Sequence, residues 1–161
     1  MYRVCMVCTG NICRSPMAAS VLRAKLVTAG LDTRAVVSSA GTWGLHAGSR
    51  MDPRAEALLA RHGYPTDHVA RHFHPDDFAS YDLILVTDRS NVDHLRALAT
   101  QHGATADIRL IRSFDPTLEG DQGIPDPFNG GPQDFEKVLD QLERACDGLV
   151  AHLLSEQQER P

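Results

Sequence analysis

The chain has 161 residues, 42% of them hydrophobic, which is enough for one domain with a sizeable core. Its formal net charge of −5 argues against nucleic acid as a general partner, and no apolar run approaches a membrane span. The N-terminus has neither a basic segment nor an apolar stretch of signal-peptide length, and the four cysteines are sparse, so a cytoplasmic protein is expected. With no linker, repeat or low-complexity stretch, the chain reads as one domain over 1–154 and a polar C-terminal tail over 155–161.

The first predicted strand, Tyr2 to Cys8, runs into Cys8-Thr9-Gly10-Asn11-Ile12-Cys13-Arg14-Ser15-Pro16. Ser15 is a favoured N-cap and Pro16 suits the first helical position, so a helix is predicted over Ser15–Ala29, with Gly30 as its stop. Strand, tight loop and helix N-terminus together make an anion cradle from backbone amides and a helix dipole. A helix N-terminus and a nearby arginine both favour the thiolate of a cysteine at the mouth of that cradle. Cys8 is then a candidate nucleophile toward phosphorus, and Arg14 a planar fork for two phosphate oxygens. Gly10 and Asn11 are the residue types that adopt positive φ most easily, as a loop turning its amides inward requires. Ser15 can donate its hydroxyl hydrogen to the Cys8 sulfur.

Further strands are predicted over Ala35–Ser39, Leu83–Thr87 and Ile108–Ile111, and helices over Pro53–His62, Ser90–Thr100 and Gln133–Leu154. This alternation implies an open, doubly wound parallel α/β sheet with helices on both faces and its site at the carboxyl ends of the strands. Asp88 falls at such an end and also suits the N-cap of the helix that follows. Asp126 lies between Pro125 and Pro127, in a loop bracketed by Gly123, Gly130 and Gly131, which restricts its backbone. In the last helix Phe135, Val138, Leu139, Leu142, Cys146, Leu149, Val150 and Leu153 form an apolar stripe.

Cys5 and Cys8 form a C-x-x-C, but their odd separation along a strand points them to opposite faces, and no second pair completes a zinc site. His72 and His74 also lack further ligands. No metal and no cofactor is expected.

The segment Val7 to Pro16 resembles the active-site loop of the low-molecular-weight protein tyrosine phosphatases. Ser38-Ser39-Ala40-Gly41-Thr42, His68-Val69-Ala70-Arg71, Asp88 with Ser90-Asn91, and Asp126-Pro127-Phe128 resemble family motifs in the family's order. The resemblance implies a four-stranded sheet of order 2-1-3-4 and a phosphocysteine intermediate, with Cys8, Arg14 and Asp126 catalytic. Asp126 is the implied general acid and base. Leaving tyrosine has a solution pKa of about 10, so its proton is worth several kcal/mol of barrier. The phosphate-binding loop comprises Thr9, Gly10, Asn11, Ile12, Cys13 and Ser15. Asn11, Ser15, Ser39 and His68 are implied to form the hydrogen-bonded network that braces the loop and holds Asn11 in its strained conformation, with Asp88 in the supporting network. Cys13 resembles a resolving thiol that forms a reversible disulfide with Cys8 and protects it from overoxidation. Tyrosine-phosphorylated proteins are the implied partners, met as a monomer or weak dimer.

The pocket wall is expected from Ile12, Trp43, Leu45, His46 and Phe128. Relatives often place an aromatic directly before the histidine and tyrosines after the Asp-Pro, whereas this chain has Leu45 and Phe128-Asn129. Protein arginine phosphatases share the loop but tend to carry threonine where Ile12 stands, and Ile12 offers methyl groups to a phenyl ring. Arsenate reduction on this scaffold needs relay cysteines, and none lies between Cys13 and Cys146. A non-catalytic phosphotyrosine-binding module requires loss of the nucleophile or acid, yet Cys8, Arg14 and Asp126 are all present. A nucleotide-binding P-loop needs a Lys-Ser/Thr pair after the loop, which is missing.

Overall fold

The computed structural model describes residues 1–118, 120 and 122–158, the last two by their backbone alone. Four strands, β1 (Tyr2–Cys8), β2 (Ala35–Gly41), β3 (Leu83–Val86) and β4 (Ile108–Leu110), form one sheet in the order β2-β1-β3-β4, with every pairing parallel. The helices are α1 (Arg14–Thr28), α2 (Pro53–Arg61), α3 (Arg89–Gln101) and α4 (Pro132–Gln158). The order matches the expectation.

Residue parity along the strands divides the core. Val4, Met6, Leu83 and Leu85 pack with α1, α2 and α4 through residues such as Met17, Leu58 and Leu142. Cys5, Val7, Ile84 and Val86 face the other way, against Phe73, Phe78 and Leu95 of α3 and the segment before β3. Because both faces are covered, the central strands are apolar without interruption, as parallel sheets require. All eight stripe positions of α4 join the first cluster, with Val150 at its edge.

The ends of β3, β4, α2 and α3 and the start of α4 shift by one residue from the sequence reading, and three further boundaries differ with a consequence for the site or the tail. β2 extends to Gly41 because Ala40 and Gly41 continue the register opposite Val7 and Cys8. A Cβ at Gly41 would stand 2.6 Å from the Thr9 carbonyl, so β2 approaches the loop at a distance that only glycine permits. α4 continues to Gln158, four residues into the expected tail, and residues 159–161 of that tail lie outside the described ones. α1 begins at Arg14 with Cys13 as its N-cap and no side-chain cap, so Ser15 is not the cap. The reason is competition: the Ser15 hydroxyl is taken by Cys8 and Asn11. Pro16 is then the third helical residue, still in the first turn where a missing N–H costs no intrahelical bond.

Candidate active site

The loop between β1 and α1 is pinned where it leaves β1. The Thr42 N–H donates to the Cys8 carbonyl and the Trp43 N–H to the Thr9 carbonyl, tying the loop to the end of β2. Inside the loop, Asn11 is the only described non-glycine residue with positive φ, 57°. Its side chain and carbonyl explain how that conformation is held. Nδ2 donates to Ser15 Oγ at 2.8 Å and to Ser39 Oγ at 3.0 Å, Oδ1 accepts from the Arg71 N–H at 3.0 Å, and its carbonyl pairs with His68 Nε2 at 2.7 Å. Burial lowers the His68 pKa, favouring a neutral ring whose Nε2–H donates to that carbonyl. Gly10 does not use positive φ. Its lack of a side chain instead makes room for His46, whose Cδ2 would lie 3.1 Å from an added Cβ.

Cys8 is buried, with Sγ 2.8 Å from Ser15 Oγ. Since that oxygen already accepts from Asn11, its own hydrogen is free to point at the sulfur. Arg14 is buried at the start of α1, where Nη1 donates to Asp88 Oδ2 at 2.7 Å and to the Ile124 carbonyl at 2.9 Å. Among the described residues, its Nε and Nη2 have no acceptor within hydrogen-bond distance; Asp126 Oδ2 is 3.7 Å from Nη2. That edge is the free side of the fork, with the geometry to take two oxygens of one anion.

Asp88 serves two elements. It caps α3 by accepting from the Asn91 N–H, and it fixes Arg14. Burial pushes its carboxyl up, but hydrogen bonds from the Asn91 N–H and Ser90 and the Arg14 charge outweigh burial and hold it below its usual value. Asn91 links the same group to the loop, donating to Thr9 Oγ1 and accepting from Thr42 Oγ1.

Asp126 reaches the site from the loop after β4, and its side chain is half-exposed. The base of its loop is anchored by three contacts: Ile124 N–H to the Thr87 carbonyl, Ile124 carbonyl to Arg14, and Gly123 carbonyl to the buried Arg112. The Phe128 N–H donates to Asp126 Oδ1 at 3.1 Å.

These groups surround a cavity of about 140 Å³. Cys8, Thr9, Gly10, Ile12, Cys13 and Arg14 line it from the loop, and Trp43, His46, Asp126 and Phe128 close it from elsewhere. Leu45, expected in the wall, is not among the lining residues and stands 66% exposed. It lies in the turn between Trp43 and His46, both of which do face the cavity, and a one-residue step sends it to solvent. Burial pushes the Cys13 thiol up to about 12. Among the described residues no group of three acidic, histidine or cysteine side chains could hold a metal. His72 pairs with the Thr42 carbonyl and His74 caps a 3₁₀ turn at Pro75–Ala79.

The sequence reading missed several supports. The Ile124 carbonyl and the Arg71 N–H are backbone groups and carry no residue signal. Asp52 and Arg54 had one, since Asp-Pro is a cap followed by a first-turn proline, but nothing tied them to the site.

A buried cysteine and a buried arginine share one cavity with a half-exposed carboxylate at its mouth. The family model described as low molecular weight phosphotyrosine protein phosphatase matches residues 3–159. A low molecular weight protein-tyrosine-phosphatase of Streptomyces coelicolor is 49% identical over 93% of this chain and 92% of its own. Among solved structures, an Entamoeba histolytica protein tyrosine phosphatase is similar with a TM-score of 0.88 at 30% identity, covering 98% of this chain and 99% of that one. A Drosophila arginine phosphatase superposes with a TM-score of 0.87 at 31% identity, covering 95% and 98%. The chain belongs to the low-molecular-weight protein tyrosine phosphatase family and is an enzyme of that class. Phosphoproteins are its substrates, and no described helix is long and apolar enough to cross a membrane.

Proposed function

We propose that the enzyme hydrolyses phosphotyrosine through a phosphocysteine at Cys8, with Arg14 as the phosphate clamp and Asp126 as the acid and base. The observation that carries this reading is the convergence of Cys8, Arg14 and Asp126 on one cavity, with Ser15 at 2.8 Å from the sulfur. The Cys8 sulfur attacks phosphorus in line, the bond to the tyrosine oxygen breaks, and that oxygen takes the proton of Asp126. The Asp126 carboxylate then removes a proton from water, whose oxygen attacks phosphorus as the sulfur–phosphorus bond breaks. Arg14 holds two oxygens throughout, and the Ser15 hydroxyl stabilises the departing sulfur. Every step uses a group of this chain, and no metal or organic cofactor enters.

Ile12 lines the cavity with aliphatic surface alongside Phe128 and Trp43, which suits a phenyl ring better than a guanidinium. The likeness to an arginine phosphatase favours phosphoarginine as the second reading. Phosphotyrosine, phosphoserine and phosphoarginine peptides assayed side by side, with Cys8→Ser as blank, decide between them. Phosphotyrosine turnover well above the others is the expected result. A preference for phosphoarginine keeps Cys8 and overturns the pocket reading.

Cys13 shares the cavity with Cys8, which supports a protective role. Peroxide converts the Cys8 thiolate to a sulfenic acid, the Cys13 sulfur attacks that sulfur, and water leaves as the disulfide forms. Peptide mapping after mild peroxide should find Cys8 joined to Cys13, reversible by dithiol; overoxidised Cys8 alone contradicts it. All four cysteines are free, in keeping with a reducing cytoplasm. The exposed apolar residues of the cavity wall, Trp43 and Phe128, are few, in keeping with a monomer or weak dimer.

A further inference from the structure

We propose that Asp52 and Arg54 form a positioning pair that couples the nucleophile loop to the general-acid loop. The inference rests on Asp126 as the acid and concerns how that acid is held. A continuous chain of contacts runs between the two loops. The Asp52 N–H donates to the Ile12 carbonyl at 2.8 Å, inside the phosphate-binding loop. The Asp52 carboxylate is 7% exposed and accepts from Arg54 Nε at 3.1 Å and Nη2 at 2.9 Å, a two-point grip. The same Arg54 Nη2 donates to the Phe128 carbonyl at 2.8 Å, and Nη1 reaches toward the Gly130 carbonyl. The guanidinium also lies over the Phe135 ring at 4.6 Å and the Phe128 ring at 5.6 Å. The Phe128 N–H completes the chain at Asp126 Oδ1.

Each link constrains the next. Arg54 holds the Phe128 carbonyl, and across the single φ/ψ pair of Phe128 this restrains the N–H that occupies Oδ1 of Asp126. The proton of the acid is thereby left to Oδ2, the oxygen 3.7 Å from Arg14 Nη2 and nearer the phosphate clamp. Arg54 does not line the cavity and touches no reacting atom. It acts through Phe128. Asp52 adds rigidity at the other end, since it is also the N-cap of α2 and accepts from the Arg54 N–H at 2.8 Å.

The test is kcat/KM across aryl phosphates whose leaving phenols run from acidic to tyrosine-like, for the wild type, Arg54→Ala, Arg54→Lys and Asp126→Ala. A misplaced acid harms poor leaving groups selectively, which a loss of folding or of phosphate binding does not do. The R54A enzyme should lose about tenfold more on the poorest leaving group than on the best. Inhibition by vanadate should stay within about twofold, because Arg14 and the loop amides are untouched. The R54K enzyme should not recover, since one ammonium cannot grip Asp52 twice and hold the Phe128 carbonyl. Should R54A fail to fold, Asp52→Asn keeps the cap of α2, weakens the grip on Arg54, and must show the same selective loss. A steep D126A series with a uniform or absent R54A loss overturns the role of Arg54 alone. A D126A series no steeper than wild type overturns the acid itself.

Discussion

Ser15 Oγ lies 2.8 Å from Cys8 Sγ while accepting from Asn11 Nδ2, so its single hydrogen has the sulfur as its partner. The serine thereby sits in the first turn of α1 as a sulfur ligand, at the expense of capping it. Replacing Ser15 by alanine removes a hydrogen bond to a charged sulfur, worth about 1.5–3 kcal/mol. The expected loss in turnover is about 10- to 100-fold. It should fall more on breakdown of the phosphocysteine than on its formation, so stopped-flow traces should show an initial burst of phenol larger relative to the steady rate. Unchanged turnover would remove Ser15 from the chemistry.

His68 gives the site a pH-dependent brace. Burial holds its pKa below 6.5 in the folded protein, so the unfolded chain takes up the proton first as pH falls. The contribution is full above about pH 6.5 and is lost as pH drops toward the folded pKa. The Tm of the wild type should therefore fall more steeply between pH 7 and 5 than that of His68→Gln, whose amide can still donate to the Asn11 carbonyl. Parallel curves would contradict a neutral His68.

Gly148 tests the packing of α4 independently of catalysis. An alanine in a helix interior is ordinarily better than glycine by about 1 kcal/mol. Here the added Cβ would stand 1.7 Å from the Phe114 carbonyl oxygen, so the sign reverses. Gly148→Ala should cost about 2 kcal/mol or more, read by urea unfolding. A stabilised variant would show that the helix and the Phe114 turn move apart freely.

Much of this was legible in the chain because the signals were local. The apolar runs of β1 and β3, the stripe of α4 and the Cys8–Arg14 loop each carry their own pattern, and the structure has them in the expected elements. Local rules failed where one group had two claimants. Ser15 reads as a helix cap, but a buried sulfur and an asparagine amide outcompete the helix for its hydroxyl. Gly10 reads as a positive-φ residue, but the strain falls on Asn11 alone, which has a side chain able to hold it. Asp88 reads as a cap or a site residue and is both. The Ile124 carbonyl on Arg14 and the Arg54 grip on Phe128 join residues more than 70 positions apart, through backbone atoms that any residue would supply.

The most direct test of the account is to trap the covalent intermediate. Asp126→Ala lacks the base that activates water, so with an aryl phosphate of good leaving group its phosphoenzyme should persist. Rapid acid quench and peptide mass spectrometry should find one phosphoryl group, on Cys8, and none in Cys8→Ser treated alike. Phosphate on another residue, or its retention in Cys8→Ser, would contradict the central claim.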